Sequence, residues 1–94
     1  MLITFPQVPP YYRATDLAVA FQAKVDNKPI ECAISVEALE DHFGAASARQ
    51  DDVLDAFSTN RAEIEAVARE LLHADPGTAP LIRSGLLRFK RAQD

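Results

Sequence analysis

The sequence predicts an α+β domain: a small, mostly antiparallel sheet with a central hairpin, and two helical regions packed on one of its faces. Three observations predict it. Residues 17–25 and 30–34 show period-two patterning on either side of Asp26-Asn27, the pattern switches to helical spacing at Ser35, and a second, longer helical stripe runs from Gln50 to His73. At 94 residues the chain fits one domain over 1–94, with a single modest core.

The first element is a short strand, Leu2-Ile3-Thr4-Phe5, stopped by Pro6. Residues 6–12 hold three prolines, each of which restrains itself and the residue before it, so this stretch reads as extended loop. Aromatics beside prolines are able to make a peptide-binding surface, but the favoured role of Tyr11 and Tyr12 is to pack that loop down.

Leu17, Val19, Phe21, Ala23 and Val25 then alternate with Ala18, Ala20, Gln22 and Lys24. Asp26-Asn27 tolerates the positive backbone angles of a two-residue hairpin turn. That loop length fixes the register: Val25 faces Lys28, Ala23 faces Ile30, Phe21 faces Cys32 and Val19 faces Ile34. A slip of one residue would turn every apolar side chain to the wrong face. Pro29 cannot donate to a ladder, so its amide side belongs at an edge. The opposite face, with Ala18, Ala20, Gln22 and Lys24, is mildly polar and is expected to be a partner surface.

Ser35 suits an N-cap, Val36, Leu39 and Phe43 share one helical face, and Gly44 suits a left-handed helix end. In the next helical region Val53, Phe57, Ile64, Val67 and Leu71 stay in phase, with Asn60 in the middle of the stripe. Two readings compete: one continuous helix that buries Asn60, or a break at Asn60 with Glu63 completing a capping box. The preserved phase favours continuity. Asp75-Pro76-Gly77 stops the helix, Leu81-Ile82-Arg83 reads as a short strand, and Ser84-Gly85 reads as a turn. Leu86–Phe89 packs back in a form the pattern leaves open, and residues 90–94 are expected to fray.

The net charge of −4 is unevenly spread. Residues 1–35 are neutral, while residues 36–76 carry three arginines against ten acids. Residues 77–94 carry Arg83, Arg88, Lys90 and Arg91 against Asp94. An acidic middle and a basic tail are able to meet within one chain or across a dimer. The segment Met1–Pro6 lacks the basic and apolar stretches of an export signal, and one cysteine forms no internal disulfide, so the expected compartment is the cytoplasm.

No residue set assembles a reaction. Cys32 is placed opposite Phe21 on the core face, as a small buried hydrophobe rather than a nucleophile. His42 and His73 each fall in the last turn of a helical segment, where an imidazolium suits the dipole, and neither has metal-ligand spacing. Glu37, Glu40 and Asp41 lie off the apolar stripe, on a solvated face. Arg49, Arg61 and Arg69 are expected to pair with Glu65, Glu70 or Asp52 rather than grip a phosphate.

Glu31–Ser35 followed by Ala38–Gly44 resembles a family of small bacterial proteins known as domain of unknown function 1488. The likeness extends to Ile3–Pro6, to Phe57, Asn60-Arg61, Ile64-Glu65 and Ala68-Arg69, and weakly to Ile82-Arg83-Ser84. Lys90-Arg91 departs from the family pattern. The resemblance implies a compact α+β domain and brings no activity, cofactor or catalytic residue with it.

The resulting expectation is a small non-enzymatic interaction or accessory protein, without cofactor or metal, that binds another protein and forms a homodimer. The alternative is a nucleic-acid-binding accessory or regulatory protein using Arg83, Arg88, Lys90 and Arg91. Sequence alone names neither a partner nor a pathway.

Overall fold

The Asp26-Asn27 hairpin forms in the expected register. Strand β3 (Ala18–Val25) pairs antiparallel with β4 (Lys28–Ser35), with Val25 opposite Lys28, Ala23 opposite Ile30, Phe21 opposite Cys32 and Val19 opposite Ile34. Both turn residues have positive φ, 50° and 69°, as a tight two-residue loop requires. The computed structural model describes residues 1–93, with side chains through Lys90.

Strand β1 (Ile3–Thr4) pairs with the far end of β3, and hydrogen bonds in both directions between Leu2 and Asp26 extend the pairing to the turn. A second strand, β2 (Tyr11–Arg13), lies along the same edge of β3 and overlaps the end of the stretch read from sequence as loop. Three residues after two prolines are too few to show a period, which hides this strand in the sequence. The loop before it is tied down from outside. The Arg61 guanidinium donates to the carbonyls of Pro6 and Val8, and Gln7 donates to Glu65. Leu17 is not part of β3. It occupies the turn before it, with φ +50°.

Ser35 caps α1 (Val36–His42): its hydroxyl accepts from the Ala38 amide at 3.0 Å. Gly44, at φ +71°, turns the chain so that the Ala45 amide reaches back to the Leu39 carbonyl. The long helical region is broken, in contrast to the continuous helix the phase favoured: α2 (Gln50–Thr59) and α3 (Arg61–Ala74) meet at Asn60, whose φ of −113° and ψ of 19° are not helical. The cause is the Asn60 side chain, whose amide donates to the carbonyls of Ala56 and Phe43 and so competes with the backbone ladder. It makes no capping bond to α3. The phase survives because the Asn60 and Ile64 amides still bond four residues back.

Strand β5 (Leu81–Ile82) joins β4 in parallel, which makes the five-stranded sheet mixed. It pairs only with Ala33 and Ile34, so Pro29 sits on a free edge of β4. Ser84-Gly85 does not turn the chain but opens α4 (Ser84–Gln93). The backbone stays helical through Gln93, over most of the stretch expected to fray, and Asp94 lies outside the described residues.

All four helices contribute to one core. Val19, Phe21, Ala23, Cys32 and Ile34 on the inner face of the hairpin meet Leu39 of α1, Val53 and Phe57 of α2, Ile64 and Leu72 of α3, and Leu87 of α4. The Phe21 and Phe57 rings pack at 5.1 Å between centroids, tilted by 44°. Among the described residues, no helix is long and apolar enough to cross a membrane.

Candidate functional site

The side chains most able to meet a ligand stand on the other face of the sheet. Because Tyr11 lies opposite Ala20 and Arg13 opposite Ala18, both project to the outer face beside these alanines. Ala20 in turn lies opposite Ala33, and Gln22 opposite Glu31. The three small residues form a low floor, over which Tyr11 and Arg13 reach across β3 to Glu31 of β4. The Tyr11 hydroxyl donates to one Glu31 oxygen, and Arg13 Nη1 donates to the other at 2.8 Å. Arg13 also grips Asp16 with Nε and Nη2, at 2.8 and 2.6 Å. The face expected to be a mildly polar patch is thus different in kind. Ala18 and Ala20 are buried under this network, and the chemistry exposed belongs to Tyr11, Arg13, Asp16 and Glu31.

The network sets its own electrostatics. Paired with the Arg13 guanidinium, the Asp16 carboxyl is held below the usual carboxylate range. Hydrogen bonding to the Glu31 carboxylate pushes the Tyr11 hydroxyl above the ordinary tyrosine value. Arg13 is driven still further into its charged form, first by Asp16.

Asp16 joins this face to a cleft of about 570 Å³ at the carboxyl ends of the parallel pair β4 and β5, where α1 and α4 begin. Asp16, Glu37 and Glu40 line it against Arg83, with Leu17 and Ser84 at its walls. Leu17 is 59% exposed at its rim, and its carbonyl accepts from the Val36 amide at 2.9 Å.

Ser84, which lines the cleft, forms a chain with Asp41 and His42 of α1. Ser84 Oγ donates to Asp41 Oδ2 at 2.6 Å, while His42 Nε2 lies 3.2 Å from both the Ser84 carbonyl and its Oγ. With the hydroxyl proton committed to Asp41, both Ser84 oxygens offer lone pairs, so Nε2 carries the hydrogen. A nucleophilic triad needs the reverse, with histidine taking the serine proton. Ser84 is also only 4% exposed. The three residues act as a clamp between α1 and α4, joined across more than forty residues of chain. A signal for it exists in the sequence: Ser84 before Leu86-Leu87 repeats the strand-then-serine pattern of Ser35 before Val36.

Cys32 lies against Phe21 in the core, and burial, aided by nearby Glu31 and Glu65, pushes its thiol up to about 12. His42 and His73 do fall in the last turns of α1 and α3. Among the described residues, no three His, Cys, Asp or Glu side chains gather at metal-binding distance. The arginines on the helices divide their roles. Arg61 pairs with Glu65 at 2.9 Å, Arg49 approaches Asp51 rather than Asp52, and Arg69 stacks over Phe5 at 5.1 Å.

The basic C-terminal residues have different surroundings among the described side chains. Arg83 faces the carboxylates of the cleft, Arg88 is exposed on α4, and Lys90 pairs with Glu70 at 2.5 Å. The Arg91 side chain lies outside the described residues.

These features define a small α+β domain, helix-covered on one face and carrying a fixed polar network on the other. The chain belongs to the DUF1488 family, described as proteins of unknown function, whose sequence profile matches residues 3–80. The match ends at Pro80, so the likeness seen at Ile82-Arg83-Ser84 lies beyond it. The chain is similar in fold to a crystal structure of a DUF1488-family protein of unknown function from Shewanella loihica PV-4, with a TM-score of 0.73 and 22% identity. That similarity covers 86% of this chain and 92% of the other. No curated protein matches the chain.

Proposed function

We propose that this domain is a non-catalytic interaction module, seating a segment of another protein on the outer sheet face and in the adjoining cleft. The observation that carries the reading is the fixed pair Tyr11 and Arg13. Tyr11 is 46% exposed yet tethered to Glu31, and Arg13 is held by two carboxylates above a flat alanine floor. Tyrosine and arginine dominate binding energy at protein interfaces, and side chains already ordered lose less freedom on binding.

A different chain is favoured over a second copy. One motive for a homodimer was the attraction of the acidic middle for the basic tail, and Lys90–Glu70 satisfies part of it within one chain. Nucleic-acid binding through Arg83, Arg88, Lys90 and Arg91 has less support, because Arg83 and Lys90 already face carboxylates. The proposal places the module in the cytoplasm, where the lone Cys32 stays a thiol.

The test compares proteins retained from the native cell by the tagged wild type, by Tyr11→Ala and by Arg13→Ala. A partner held by the wild type and lost at least tenfold by both variants, each with an unchanged circular dichroism spectrum, supports the reading. Equal retention by all three overturns it.

A further inference from the structure

We infer that α4 is a releasable clamp on the cleft, with the Asp41–Ser84–His42 chain as its latch. The inference rests on the cleft's role in the interaction reading and concerns how that site is assembled.

Arg83, just before α4, and Ser84 and Gly85 at its start form one wall of the cleft, so undocking α4 removes part of that wall. Among the described side chains the apolar anchoring of α4 is small, although its backbone packs closely against α1. Leu87 is its one fully buried apolar side chain among the described residues, with Leu86 half-buried, while Arg88 and Phe89 face outward. By contrast, the hairpin buries Val19, Phe21, Ala23, Cys32 and Ile34 together. What α4 lacks in apolar contact it gains in polar contact at its two ends. Ser84 is bonded to Asp41 and His42 of α1, and Lys90 to Glu70 of α3.

Ser84 is the only buried polar residue among those described, which marks the latch as a built feature of the interior. A buried hydroxyl that loses its partners is penalised, so the latch favours the docked state in an all-or-none way. A helix joined by few apolar contacts and two polar attachments opens as a separate unit, below the free energy of global unfolding.

Hydrogen exchange on the full-length chain reads this directly and needs no partner. In the wild type, the amides of α4 are expected to exchange ahead of those of β3, β4 and α3. Ser84→Ala is expected to speed exchange in α4 by about tenfold and leave the hairpin unchanged. Leu87→Ala removes the apolar anchor and gives the same selective result, whereas Arg88→Ala leaves exchange as it was. The inference is overturned if wild-type α4 exchanges together with the hairpin, if Ser84→Ala leaves α4 unchanged, or if both regions accelerate equally. Loss of a protein partner in Tyr11→Ala with no change in α4 exchange speaks to the interaction reading alone, so the two failures are separable.

Discussion

The two faces of one hairpin are built from alternate residues of the same strands, yet they follow different physics. Inward, Val19, Phe21, Ala23, Cys32 and Ile34 are sealed under helices and contribute stability through apolar burial. Outward, Ala18, Ala20 and Ala33 are also hidden, but beneath Tyr11 and Arg13, whose energy lies in hydrogen bonds and ion pairs open to water. Arg13 keeps 27% of its side-chain surface, and Glu31 keeps 38%. Exposed pairs of this kind contribute about 1 kcal/mol or less. The inner face therefore holds the fold, and the outer face holds an arrangement.

The largest test of that division is Phe21→Ala. Phe21 is 2% exposed and packs on Phe57 and Phe5, so its truncation is expected to lower unfolding free energy by about 3–5 kcal/mol. For a domain of this size that is a large share of the total. Urea denaturation reads it as a lower midpoint with an unchanged slope. A loss below about 1 kcal/mol would mean that the inner face is not what stabilises the molecule.

A substitution one position away addresses the other face. Ala20→Leu adds three carbons to the floor on which Tyr11 and Arg13 lie, and is expected to cost about 1–3 kcal/mol, less than Phe21→Ala. Its distinctive effect is on order, because the tyrosine and arginine are lifted away from Glu31. If Ala20→Leu destabilises as much as Phe21→Ala, the contrast between the faces is wrong.

The inner face was the part of this molecule that could be read in advance. Its register followed from period-two alternation and Asp26-Asn27, and its first helix from Ser35, Leu39, Phe43 and Gly44, all local patterns of a few residues. The outer face was not legible. Arg13 meets Glu31 only because β2, hidden behind two prolines, docks on β3 in one particular register. The clamp of Ser84 on Asp41 is equally non-local, and α4, with its opening Ser84-Gly85, reads as a turn until its tertiary contacts are known. Asn60 lies between these cases. Its place in the stripe was plain, but whether it bent the helix depended on the Phe43 carbonyl, which belongs to another element.

The smallest effect in energy is the sharpest probe of the outer face. Tyr11 is raised above its ordinary value of 10.0 chiefly by its hydrogen bond to Glu31, so whatever it contributes to stability is complete below pH 10. That contribution is lost as pH rises through the higher, folded-state value. Asp16 is lowered from 3.8 by Arg13, so its contribution is present above that value and fades as pH falls through the lower one. Tyrosinate absorbance on a Tyr12→Phe background should show Tyr11 ionising above the usual range, and Glu31→Gln should bring it down. The same titration on Ala20→Leu should also fall, because lifting the ring breaks the same bond. A Tyr11 titration unmoved by either change would mean that the ring is not tethered, and an untethered Tyr11 is an ordinary exposed tyrosine with no ordered surface to offer a partner.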